Sequence, residues 1–142
     1  MKIAIASDHA GYEMKQHLKG ILKTKGHELK DFGSFSDENS DYPDFAHPLA
    51  SAVENKEFDF GISLCGSGNG ISITANKHSG IRSAICWDTK LAELARRHNN
   101  ANICALPARF IDIDKAENIV DVFLGTEFEG GRHQQRIDKI PI

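Results

Sequence analysis

The sequence predicts an α/β fold, a three-layer doubly wound domain with a five-stranded parallel sheet in the order 2-1-3-4-5. Three observations predict it. Short runs of β-formers alternate with longer runs whose apolar residues recur every three or four positions, the pattern of repeated βα units. The strand runs are nearly continuously apolar, as parallel strands covered on both faces are. The 142 residues contain no internal repeat, linker or low-complexity stretch, so one domain, 1–142, is expected. A chain of that length buries about 68–70% of its unfolded surface and needs no disulfide or metal staple.

The elements follow in order. Ile3–Ser7 is the first strand. Met14, Leu18, Ile21 and Leu22 then mark a helix that Lys25-Gly26 stops. Glu28–Phe32 is the second strand, and after a polar loop Pro43 opens a helix carrying Phe45, Leu49 and Val53. Phe60–Leu64 is the third strand, with a helix from Ile71 to Lys77 behind it. Ile81–Trp87 is the fourth, followed by a helix over Thr89–Arg97, and Asn102–Leu106 is the fifth. Asp112 suits an N-cap for a helix that turns Ala116, Ile119, Val120 and Phe123 inward. Gly130-Gly131 precedes a short terminal helix. The arrangement is flavodoxin-like, of the broad Rossmann type.

Composition narrows the function. A hydrophobic share of 40%, a charged share of 26% and a net charge of −3 describe an ordinary water-soluble protein and argue against general nucleic-acid binding. No segment is long and apolar enough to span a bilayer. Asp8 and His9 cut the apolar N-terminal run too short for a signal peptide. Three widely spaced cysteines, 65, 86 and 104, make no disulfide framework, so a reducing cytoplasm is expected. The tail is locally basic: Arg132, His133, Arg136 and Lys139 stand against one acid, Asp138. Such a cluster on an acidic chain suits a small anion.

The segment Cys65-Gly66-Ser67-Gly68-Asn69-Gly70 carries the strongest chemical signal. It puts a thiol at the end of a buried strand, against glycines that open a helix. Backbone N–H groups there attract negative charge, and such surroundings favour a thiolate. In a doubly wound sheet, ligands sit beyond the carboxyl ends of the strands where the strand order reverses. That brings this loop together with Asp8-His9-Ala10-Gly11, after the first strand. Familiar glycine motifs fail. A dinucleotide fingerprint would need glycine at Ile71, no Gly-Lys-Ser/Thr follows for a P-loop, and no arginine stands five residues beyond the cysteine for a phosphatase loop.

Blander roles compete for each residue. Free cysteines are often core residues, which suits Cys86 and Cys104 within their apolar runs. Asp8 can be a helix cap. His98, in Arg96-Arg97-His98-Asn99-Asn100, can simply be a cation near a helix end with an asparagine stop. Arg132 and Arg136 share a helix face and can grip a phosphate together, or form a solvated tail. Arg109, after the fifth strand, is a further anion ligand candidate. A zinc site using Cys65, His9 and His98 gains no support from the spacing.

With these motifs the chain resembles the ribose-5-phosphate isomerase type B family, which also holds galactose- and allose-6-phosphate isomerases. The resemblance rests on Ser7-Asp8-His9-Ala10-Gly11, Asp41-Tyr42-Pro43, Cys65 to Ile73, Ala75-Asn76-Lys77, Arg97-His98-Asn99 and Glu129 to Arg136. It implies isomerisation of a sugar phosphate through an enediolate, with no cofactor and no metal. Cys65 would be the base between C2 and C1. Ser67 would assist transfer between O1 and O2, and backbone N–H groups of Gly66, Gly68, Asn69 and Gly70 would hold the enediolate. His98 would open the ring, with Asp8 and Tyr42 at the ring oxygens. His9, Arg109, Arg132 and Arg136 would bind phosphate, making 130–142 a phosphate-binding tail, and Asn99 a sugar hydroxyl. Some members use a glutamate base where Ile71 stands here, which leaves the task to Cys65. Ser67 replaces a frequent threonine and keeps the hydroxyl. The resemblance also implies a homodimer whose site is shared at the interface, or a tetramer of such pairs. Competing readings are a hexose-6-phosphate isomerase, a non-catalytic sugar-phosphate-binding subunit and a flavin-binding carrier.

Overall fold

A computed structural model describes residues 1–142. Five strands, β1 (Lys2–Ser7), β2 (Glu28–Asp31), β3 (Phe60–Cys65), β4 (Ser83–Ile85) and β5 (Ile103–Pro107), form one sheet in the order β2-β1-β3-β5-β4. Every neighbouring pair is parallel, with Ser7 opposite Leu64 and Cys65 opposite Pro107. The doubly wound parallel architecture therefore holds, with one correction. The last two strands are exchanged, so that β5 lies beside β3 and β4 takes the edge. The physical reason lies in their side chains. All five residues of β5 are buried, so it needs a neighbour on each side. β4 has shrunk from the expected Ile81–Trp87 to three half-buried residues, and a short, partly exposed strand is the better edge.

The helices are α1 (Tyr12–Thr24), α2 (Pro43–Glu54), α3 (Asn69–Ala75), α4 (Thr89–Asn99), α5 (Ile113–Gly125) and α6 (Arg132–Ile137). One face of the sheet is covered by α1, α4 and α5. Leu18, Leu22, Ala92, Ala95, Ile119, Val120 and Phe123 pack there on Ile3, Ile5, Ile62, Leu64 and Leu106. Each buried Leu, Ile, Val or Phe among them contributes about 1.5–3 kcal/mol. The other face is covered by α2 and α3, where Leu49, Ala50, Val53 and Ala75 meet Ala4, Ala6 and Ile103. Gly61 is required on that side, since a Cβ there would lie 2.9 Å from Leu49 Cδ2.

Local signals explain the helix ends. The Asp112 carboxylate accepts the Lys115 N–H at 2.8 Å and starts α5 as expected. Asp88 does the same for α4 through Lys90 N–H. Asn100 ends α4 in the left-handed region, at φ 46°. Pro43 is the first residue of α2.

Candidate active site

The crevice between β1 and β3 survives the exchanged strands, because the first reversal of strand order still falls there. Two loops meet in it. Asp8 N–H donates to Leu64 O at 3.2 Å, and a Cβ on Gly11 would collide with Leu64. The loop after β5 joins them: Ala108 and Arg109 N–H groups donate to Cys65 O and Gly66 O at 2.9 and 3.0 Å. The Arg109 side chain thus lies across Gly66. From the start of α2 the Tyr42 ring lies over Gly70, where any Cβ would strike it.

Cys65 ends β3 with its thiol buried against Ala46, Ile71, Ala105 and Ile85. Beside it, the N–H groups of Gly66, Ser67, Gly68 and Gly70 donate to nothing within the chain. Asn69 N–H is taken by Ser67 Oγ at 3.3 Å. Gly68, at φ +77°, supplies the left-handed residue that turns the strand into α3. The result is a row of unpaired donors that follows a buried cysteine directly in the chain, and Ser67 is exposed at its rim. An adjoining cavity of about 520 Å3 is lined by Ser67, Asn69, Ile85, Trp87, Pro107 and Phe110, among others.

Asp8 divides its carboxylate. Oδ1 caps the turn that follows, accepting Ala10 and Gly11 N–H at 2.9 and 3.2 Å, while Oδ2 has no partner. His9 is tied down through Nδ1, 3.2 Å from both Ser40 N and Ser40 O, which leaves Nε2 open. The loop behind them is braced by a buried ion pair. Lys15, fully buried, meets Asp31 at 2.8 Å and also donates to Ser34 O, while Ser34 N–H donates to Ser7 O. Burial by itself would raise the Asp31 pKa. Hydrogen bonds from Lys15, Lys19 and Gly33 N–H overturn that and hold it below the ordinary carboxylate value.

The remaining sequence candidates lie at the opposite end. α4 runs from the C-terminal to the N-terminal edge of the sheet, about 16 Å for its 11 residues. There Arg82, just before β4, donates to Asn99 O and Asn100 O, and Asn102, just before β5, accepts Gly61 N–H. His98 and Asn99 are therefore far from Cys65 in their own chain. Arg132 and Arg136 stand with them on α6, which is joined to α4 by the stack of His133 on His98. One chain brings together Asp8, His9, Tyr42, the Cys65–Gly70 loop and Arg109, and separates them from His98, Asn99, Arg132 and Arg136.

The arginines sort in a telling way. Of six, Arg82, Arg96 and Arg97 are occupied with carbonyls, Asn100 or glutamates. Arg109, Arg132 and Arg136 are exposed and none of them makes a side-chain hydrogen bond or ion pair. They are the guanidinium groups left free for an anion. One residue given no role from the sequence, Glu129, also joins the second cluster. Glu129 holds Arg97 at 3.0 Å and lies 3.9 Å from the Nε2 atoms of both His98 and His133. Only the fold brings them together, since Glu129 sits in the loop after α5 and His98 at the end of α4.

Comparison with known proteins decides the family. The model of the ribose/galactose isomerase family matches residues 3–140. The chain belongs to that family. The isomerase is 45% identical over 139 residues to ribose-5-phosphate isomerase B of Escherichia coli, covering 98% of this chain and 93% of that one. Among solved structures, it superposes on ribose-5-phosphate isomerase B of Clostridium thermocellum with a TM-score of 0.97 and 50% identity, over 99% of this chain and 95% of the other. Against the enzyme of Mycoplasma genitalium with bound ribulose-5-phosphate the TM-score is 0.93 and the identity 47%, over 98% and 93%. No helix of the isomerase is long and apolar enough to cross a membrane.

Proposed function

We propose that this isomerase interconverts ribose 5-phosphate and ribulose 5-phosphate through an enediolate, at a site built from two copies of the chain. The observation that carries the chemistry is the Cys65 sulfur beside the unpaired N–H groups of Gly66, Ser67, Gly68 and Gly70. A C–H next to a carbonyl is a weak acid. Its removal needs a base together with donors aimed at the oxygen where charge develops, each worth about 2.7–4 kcal/mol in a water-poor site. The Cys65 thiolate takes the C2 proton, the donors hold the enediolate oxygens, Ser67 moves the hydroxyl proton between O1 and O2, and the Cys65 thiol returns its proton to C1.

His98 delivers a proton to the ring oxygen as the ring opens, while the free Asp8 Oδ2 takes the C1 hydroxyl proton. Tyr42 and Asn99 bind sugar oxygens. His9, through its open Nε2, and the three unpaired arginines bind the phosphate, which gives residues 130–142 their role as a phosphate-binding tail. That grip supplies binding energy which positions the reacting carbons. His98, Asn99, Arg132 and Arg136 come from the second copy, because their own chain holds them at the wrong edge. Trp87 and Phe110, 56% and 76% exposed beside the glycine loop, give that copy an apolar surface to cover. The relative solved with ribulose-5-phosphate favours a pentose. No step calls for a metal.

A turnover assay on ribose 5-phosphate, allose 6-phosphate and galactose 6-phosphate tests the reading, with EDTA expected to change nothing. Preference for the pentose supports it, and a hexose preference transfers the mechanism to the larger sugar. Absence of turnover on all three would overturn it.

A further inference from the structure

His133 is one of three buried side chains with a polar atom that finds no hydrogen-bond partner. It is 5% exposed, on the first turn of α6, and its ring lies on that of His98 with centroids 4.1 Å apart and planes 11° apart. Glu129 spans the pair, with Oε2 3.9 Å from His98 Nε2 and Oε1 3.9 Å from His133 Nε2. Glu129 is itself fixed, since its carboxylate meets Arg97 and its N–H donates to Arg97 O. Two imidazoles and a carboxylate in such a group suggest a metal site, but the stack excludes a shared ion. An imidazole lone pair lies in its ring plane, and two nearly parallel planes this far apart do not converge on a point about 2.1 Å from each nitrogen.

The geometry points instead to a positioning role. We propose that His133 is a positioning residue for His98, holding its ring in place by the stack. This rests on the reading of His98 as the group that opens the sugar ring. The two residues are not equivalent. His98 has a side chain 37% exposed and can reach a substrate, whereas His133 is enclosed. The charged groups facing His133 are His98 from α4, Arg132 and Arg136 from α6, and Glu129 from the loop before it. Burial first, then His98 and Arg132, lower the His133 pKa, and only Glu129 opposes them. When His98 acts as the acid at the ring oxygen, the enclosed His133 ring offers its cationic form a π face.

The test exploits the chemistry of the two substrates. Ribose 5-phosphate is a ring and must be opened. Ribulose 5-phosphate, with its C5 oxygen phosphorylated, has no five-membered ring to form and is already open. Deuterium exchange at its C1 therefore reports proton abstraction without ring opening. His133→Ala is expected to lower kcat on ribose 5-phosphate about tenfold, between the exposed and the desolvated limits of a cation–π contact. It should shift the pH profile of that rate, with little change in KM, and leave C1 exchange untouched. His133→Phe, which keeps an aromatic face under His98, should recover the rate to within about twofold and also guards against a folding defect. Equal losses in turnover and exchange, or no recovery with His133→Phe, would overturn the proposal. His98→Asn separates the two ideas: if it too leaves ribose 5-phosphate turnover intact, the ring-opening assignment itself falls.

Discussion

At the C-terminal edge of the sheet the candidate groups sit on three loops whose backbones are bonded to one another. At the N-terminal edge they sit on the ends of α4 and α6. The first edge offers backbone N–H donors, a buried sulfur and half of a carboxylate. The second offers side chains only, namely two stacked imidazoles and two free guanidinium groups. Main-chain donors are fixed by the fold and suit an oxyanion whose position must not vary. Long arginines suit a phosphate, which they reach from a distance. In the proposed mechanism the first edge carries the enediolate chemistry and, through His9 and Arg109, part of the phosphate grip, while the second supplies His98 for ring opening and the rest of the grip.

The largest expected effect separates these roles. Cys65→Ala should reduce isomerisation by about 10²–10⁴-fold, the usual contribution of a positioned base. Calorimetric binding of the sugar phosphate should survive, and retained turnover would remove Cys65 from its role. The Lys15–Asp31 pair at the first edge is the next target. Asp31→Asn leaves the Lys15 ammonium buried without its carboxylate, a change that costs about 3–5 kcal/mol in such pairs. Urea titration at neutral pH measures it.

Mixing chains probes the division directly. Cys65→Ala and His98→Asn proteins should each be inactive, yet co-refolded together they should regain about one quarter of the wild-type sites, because half the dimers are mixed and each of those keeps one intact site. No recovery would mean that each chain carries its own complete site. Arg136→Ala should weaken phosphorylated ligands by about 1.5–3 kcal/mol, the value of a hydrogen bond to a charged group. Free ribose should bind as before.

The smallest effect is one of pH. The folded-state pKa of Asp31 lies below the ordinary value, so the unfolded chain takes up this proton first on acidification. The stability from Asp31 is complete above about 3.9 and is lost as pH falls through the lower folded value. The wild type should therefore lose more stability than Asp31→Asn between pH 6 and pH 3, measured by urea unfolding.

Much of this was legible in the chain. Short, nearly continuous apolar runs between stretches of period 3.6 marked the sequence of elements, because burial of a whole strand or of one helical stripe leaves a pattern in the residues themselves. Asp112, Pro43 and Gly130-Gly131 marked ends through purely local geometry. The loop Cys65–Gly70 announced itself for the same reason, since strand end, glycines and helix start are neighbours in sequence. The order of β4 and β5 was not legible. It depends on which strand gains more from two neighbours, a comparison that exists only once all strands compete for places in one sheet. Nor could spacing show that α4 carries His98 away from Cys65, or that Glu129 would span His98 and His133. Those are distances between elements far apart in the chain, and only packing sets them.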